Sequence, residues 1–120
     1  MTPPPAPPYF AVIFSSQRTE TDGGYGEMAE LMERLAREQP GFLDVESVRD
    51  SAGKGVTISY WASRDAIVQW KAHVMHRLAQ GRGRTEWYNW FSLRICLVEE
   101  SRSWSSGSTS EAAAGRFPSQ

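Results

Sequence analysis

A chain of 120 residues that is 40% hydrophobic has the length and composition of one globular domain with one core, not two. Its 13 basic and 14 acidic residues leave a net charge of −1, which argues against nucleic acid or an anionic membrane as partner, since both call for a strong positive field. The single cysteine, Cys96, excludes an intrachain disulfide and a four-cysteine zinc site, and within its apolar run it reads as a small buried hydrophobe.

Residues 1–8 are proline-rich, so an extended, polyproline-type arm is expected there, because consecutive prolines fix φ and remove backbone donors. No charged segment precedes an apolar one, and no run of about 18 apolar residues exists, so neither a secretory signal nor a membrane span is predicted. The expectation is a cytoplasmic protein with no membrane partner. From Tyr9 to Ser15 nearly every residue is apolar, which predicts a strand covered on both faces and central in its sheet. Met28, Leu31, Met32 and Leu35 then repeat at helical spacing, with Glu30/Arg34 and Glu33/Arg37 as outward i,i+4 pairs. Thr21 or Asp22 is available to cap this helix, and Pro40 with Gly41 ends it.

Leu43 to Arg49 and Val56 to Trp61 both alternate in polarity, and Asp50 to Gly55 supplies the turn of an antiparallel hairpin. A second helix begins near Ser63, whose hydroxyl can cap it, buries Ile67, Trp70, Val74 and Leu78, and stops at Gly81 and Gly83. In the last strand, from Tyr88 to Glu99, Phe91, Leu93, Ile95 and Leu97 share one face while Trp90, Cys96 and Val98 take the other. Residues 9–99 thus form the domain. Residues 100–120, rich in Ser, Gly and Ala, hold too little apolar surface to offset the entropy of ordering and are expected to be a disordered tail, with Trp104 as its one large aromatic.

The order β-α-β-β-α-β predicts an α+β, ferredoxin-like sandwich, with two helices on one face of a four-stranded antiparallel sheet. The other face stays bare, although the first and last strands carry large apolar side chains on both sides. A homodimer that packs sheet against sheet, a dimeric α+β barrel, is the simplest way to cover it.

The most informative stretch is Tyr60-Trp61-Ala62-Ser63-Arg64-Asp65-Ala66-Ile67-Val68-Gln69-Trp70-Lys71-Ala72-His73-Val74-Met75-His76. With Gln39-Pro40-Gly41-Phe42 and the later Gly81-Arg82-Gly83-Arg84-Thr85-Glu86-Trp87-Tyr88, it resembles the antibiotic biosynthesis monooxygenase family of ferredoxin-like dimers, in particular its small uncharacterised bacterial members. The likeness spans about Tyr9 to Glu99. It implies a pocket between helices and sheet that receives a planar aromatic or polyketide-like molecule. Members that work without a cofactor deprotonate such a substrate, and its carbanion passes an electron to oxygen.

That chemistry needs an apolar box and a base whose pKa lies near neutrality. Histidine, at about 6.5, is the obvious base, and His73 and His76 are the two candidates. Trp61, Trp70, Trp87 and Tyr88 are the candidate ring-binding walls, although bulky aromatics at a helix-sheet seam also serve as core. The i,i+3 spacing of the histidines offers two metal ligands, but no third stands at a recognisable position, so no metal is predicted. Three readings follow: a cofactor-independent monooxygenase, a dimer that binds a small hydrophobic ligand without turnover, and a haem-binding or haem-degrading protein. For the last, the family's asparagine-tryptophan-histidine set finds Trp61 and His73 or His76, while the first strand offers Ser15 and Ser16 and no asparagine.

Overall fold

The computed structural model of the chain describes residues 6–20, 24–80 and 87–106, and the backbone alone at residues 28 and 74–80. Six elements follow one another: β1 (Tyr9–Arg18), α1 (Tyr25–Glu38), β2 (Phe42–Arg49), β3 (Lys54–Trp61), α2 (Arg64–Gln80) and β4 (Tyr88–Val98). The strands form one antiparallel sheet in the order β2-β3-β1-β4. This is the ferredoxin-like α+β arrangement that the polarity pattern predicts, with β1 inside the sheet.

Register decides which side chains meet the helices. Val12 stands opposite Ser59 and Ile95, and Phe14 opposite Thr57 and Leu93, so these residues share one face. Against that face, Val12, Trp61, Ala36 of α1 and Ala66 and Ile67 of α2 form the buried core, flanked by Phe10, Phe42, Trp70, Leu93 and Ile95. Trp61 is wholly buried. Its indole N–H donates to Ser59 Oγ at 2.8 Å, which satisfies the one polar atom the ring takes out of water.

Strict alternation along β2 would turn Leu43 inward. The pairing with β3 instead shifts between Phe42 and Asp44, and a residue absorbed in such an irregularity changes the face of what precedes it. Phe42 therefore meets Trp61 edge-on at 5.5 Å, while Leu43 is left exposed.

The helix ends follow the chain's own signals, with one difference. Thr21 and Asp22 lie outside the described residues, and the cap position of α1 is Gly24, which contributes no side-chain hydrogen bond. Glu33 and Arg37 form their i,i+4 ion pair at 3.3 Å. After Glu38 the Gln39 N–H closes on Ala36 O at 3.0 Å, and Pro40 prevents a further turn. Ser63 Oγ accepts the Ala66 N–H at 3.2 Å at the start of α2, and Ile67 is buried. The side chains of Val74 and Leu78, and Gly81 and Gly83, lie outside the described residues.

On the sheet face away from the helices, Ile13 pairs with Ile58 and Ser15 with Val56; these isoleucines and Val56 are only half-buried, and Val48 is 68% exposed. Residues 99–105 carry on without helix or strand, and Trp104 is exposed. No described helix is long and apolar enough to cross a membrane.

Gly41 ties the turn after α1 to the start of α2. It adopts φ +86, its carbonyl accepts the Ala62 N–H at 2.7 Å, and a Cβ placed on it would lie 2.8 Å from Ala66 Cβ. Both the left-handed backbone and the contact penalise a side chain, and the obstacle is a methyl group that has no rotamer to escape into. Gly41→Ala is expected to destabilise the fold by about 2 kcal/mol, read as a lowered urea midpoint with an unchanged slope.

Candidate functional site

Between the two helices and the sheet lies a cavity of about 210 Å³, smaller than the roughly 300–1,000 Å³ of drug-sized ligand sites. Its walls come from every element. Val12 and Phe14 of β1, Val45 of β2 and Leu93 of β4 supply apolar surface; Ala29, Met32 and Ala36 of α1 form the roof, and Trp70 of α2 closes one end. Ser47, Thr57 and Ser59 add hydroxyls along the sheet, two of them paired at 2.7 Å between Ser47 and Thr57. Tyr25, Arg49, Trp87 and Tyr88 make the opposite end.

The polar end is built around Arg49. As the last residue of β2 its side chain falls on the helix-facing side of the sheet, in register with Gly55. A Cβ on Gly55 would lie 2.7 Å from the Arg49 Cζ, so a glycine there leaves the guanidinium its space. The group is then fully engaged. Nη1 donates to Gly53 O at 2.6 Å and to Ser16 O at 3.5 Å, while Nη2 donates to Ser16 Oγ at 2.8 Å and, over a longer 3.5 Å, to the Tyr25 hydroxyl. Ser16 is fully buried, and its hydroxyl is satisfied by this contact. The inward positive charge is thus held by four acceptors, as a half-buried guanidinium requires.

Tyr25, the first residue of α1, is fixed from several directions. The Arg18 guanidinium sits 3.5 Å from the centre of its ring, a cation-π contact. Trp87 and Tyr88 meet the ring edge-on at 6.0 and 5.8 Å, and Arg18 Nε donates to Trp87 O at 3.0 Å. Phe14, Tyr88 and Phe91 continue the aromatic wall, with Phe14 and Phe91 stacked at 5.4 Å. Burial first, then a hydrogen bond with Tyr25, push the Tyr88 phenol far above its ordinary value, against the opposing charges of Arg49 and Arg18. Tyr88 is consequently a neutral phenol and a hydrogen-bond donor at any ordinary pH, not a base.

Trp70, Trp87 and Tyr88, three of the four aromatics singled out in the sequence, line the cavity. Trp61 stands behind it: its ring stacks on Trp70 at 6.0 Å with 26° between planes and so sets that wall's position. His73 is exposed, one turn beyond Trp70 on α2, and is not part of the wall. His76 is also on α2, and its side chain lies outside the described residues. Tyr25, Arg49 and Glu33 line the cavity without having been singled out. For Arg49 a signal existed, since alternation places Val45, Ser47 and Arg49 on one face and makes the arginine the exception on an inward side. For Tyr25, at the first turn of a helix, no periodicity distinguishes it.

Comparison with known proteins agrees with this architecture. The family model for antibiotic biosynthesis monooxygenase matches residues 17–82. The chain is 53% identical to the uncharacterized protein YqjZ of Bacillus subtilis (strain 168) over 98 residues, 82% of this chain and 86% of that protein. Among solved structures it is similar to a mutant of SnoaB, a cofactor-independent oxygenase from Streptomyces nogalater, with a TM-score of 0.65 and 12% identity over 79% of this chain and 97% of that one. It is also similar to Rv0793 from Mycobacterium tuberculosis, with a TM-score of 0.57 and 17% identity over 81% and 99% of the two chains. At those identities the structural matches establish the fold.

The raised Tyr88 pKa fixes an alkaline limit. Its folded value exceeds that of the unfolded phenol, about 10, so the stabilising contribution is complete below that pH and declines as pH rises beyond it. Tyr88→Phe removes this titration. Chemical denaturation at a series of pH values is expected to show wild type losing stability above pH about 10 more steeply than the variant.

Proposed function

The chain belongs to the antibiotic biosynthesis monooxygenase family, and on that footing we propose that it is a cofactor-independent monooxygenase acting on a small planar aromatic or polyketide-like substrate. The observation that supports this reading best is the cavity between helices and sheet. Its walls are rings and aliphatic side chains, and its few polar groups gather mainly at one end and along the sheet. A flat, activated ring can be held there away from water, and a ring methylene beside a carbonyl can lose a proton to give a carbanion. That carbanion reduces oxygen. In the overall change one oxygen atom enters the product as a carbonyl, the other leaves as water, and the two methylene hydrogens go with it.

For the base this reading takes the α2 imidazoles, His73 or His76, which follow Trp70 on the helix that closes the cavity; His73 stands exposed beyond the wall and would act from the cavity's edge. The Tyr88 phenol and the Arg49 guanidinium cannot take this part: Tyr88 keeps its proton and Arg49 is permanently charged. Glu33 is the one carboxylate in the described wall, and it is engaged with Arg37.

Oxygen uptake with anthrone-type and quinol-type compounds tests the reading. Wild type is expected to consume oxygen, the His73→Ala, His76→Ala double variant to lose at least about a hundredfold in rate, as removal of a general base does, and Glu33→Gln to retain activity. Uptake abolished by Glu33→Gln alone would move the base to that carboxylate. Binding of these compounds without any uptake would make the protein a binding module.

The same reading includes a homodimer. The face away from the helices exposes Val48 and half-exposes Ile13, Val56 and Ile58, and a second copy packed sheet to sheet would cover them. Sedimentation is expected to give twice the chain mass of 13.5 kDa; a single-chain mass at micromolar concentration would contradict the dimer.

A further inference from the structure

We propose that Tyr25 is the residue that grips the ligand's oxygen, its phenol O–H donating to a phenolate, enolate or keto oxygen of the ring seated in the cavity, with Arg49 and Tyr88 as positioning residues. This rests on the cavity being a ligand site and adds to it a direction and a chemical class: an oxygen-bearing ring, oriented with that oxygen towards the hairpin end of the sheet.

The donors at this end favour one arrangement. Arg49 has no acceptor and can only donate, and its Nη2 reaches the Tyr25 oxygen at 3.5 Å. The Tyr88 ring abuts Tyr25 edge-on at 5.8 Å, and burial keeps its phenol neutral. With Arg49 donating to the Tyr25 oxygen, the Tyr25 hydrogen is free to point elsewhere, and the cavity is the space that Tyr25 lines. A donor bonded to the phenol oxygen polarises its O–H towards a further acceptor.

The ring cannot easily turn away. Arg18 covers one face at 3.5 Å, Trp87 and Tyr88 abut it, and Arg49 is itself locked by Gly53 and Ser16. A donor that needs no reorganisation when charge gathers on the partner oxygen is the kind of group that stabilises an oxyanion. Among the described residues the charged groups beside it are Arg18 and Arg49, and the one carboxylate in the described wall, Glu33, is engaged with Arg37. Trp70, at the far end, offers a ring plane and lies on the apolar side. The cavity therefore sorts a ligand by which end carries oxygen.

Two dye probes test this without turnover: nitronaphthol, whose colour separates phenol from phenolate, and nitronaphthalene, which has the same rings and no hydroxyl. Wild type is expected to bind both and to ionise bound nitronaphthol at a lower pH than the free dye. Tyr25→Phe is expected to weaken nitronaphtholate about tenfold or more, to raise the pH at which the bound dye ionises, and to leave nitronaphthalene affinity unchanged, which also shows the cavity intact. Arg49→Lys and Tyr88→Phe are expected to raise that ionisation pH by less. The proposal is overturned if Tyr25→Phe leaves nitronaphthol binding unaltered or weakens both dyes equally. If neither dye binds wild type, the cavity is no ligand site and the monooxygenase reading fails along with this one.

Discussion

The burial of Trp61 is the constraint on which the rest of the structure depends. One ring, taken wholly out of water, touches the turn after α1 through Phe42, the start of α2 through Trp70, and its own strand through Ser59. A buried tryptophan contributes more to a small core than any other single side chain, and here it also decides where α2 lies. The helices are fixed to the sheet at this end. At the opposite end, Tyr25 and the Arg49 network hold the first turn of α1 to the hairpin. Between the two fixed ends the helices stand off the sheet, and that separation is the cavity.

The two ends differ in chemistry because they solve different problems. The Trp61 end removes apolar surface from water and needs only shape. The Arg49 end places a permanent charge on the inward side of a sheet, which costs free energy unless every N–H finds an acceptor. The Gly53 carbonyl and the Ser16 hydroxyl and carbonyl meet most of that demand, and the longer contact with Tyr25 adds to it. What began as a requirement of folding leaves the Tyr25 and Tyr88 hydroxyls beside an otherwise largely apolar cavity.

Much of the architecture was legible in the sequence, for a simple reason. Helical spacing at Leu31, Met32 and Leu35 and two-residue alternation in the strands follow directly from burying one side of each element, and the Ser63 cap and the Pro40 stop are local chemistry. The aromatic walls Trp70, Trp87 and Tyr88 were legible as large rings near a seam. Trp61, equally large and nearby, is set behind Trp70 because β3 turns it towards the core, a matter of sheet register that spacing alone leaves open. Tyr25 was not legible, and Arg49 showed only as a charge on an inward face, since their importance arises from meeting each other and Ser16 across the fold, at sequence separations of 24 and 33 residues. Long-range polar contacts have no period. The Phe42–Leu43 exchange was hidden likewise, because a single strand carries no mark of the irregularity its partner imposes.

The hairpin tip between β2 and β3 has every outward appearance of a dispensable loop, exposed and turned by Gly53 at φ +94. Yet the Gly53 carbonyl receives both Arg49 Nη1 and the Arg18 N–H, and Gln17 Nε2 reaches Ala52 O at 2.8 Å. Exposed tips are ordinarily where chains tolerate grafts and length changes. In this molecule the tip is the far support of the cavity, so lengthening it by even one residue would withdraw the carbonyl that aims the guanidinium. An affinity tag or fluorescent reporter belongs at a terminus instead.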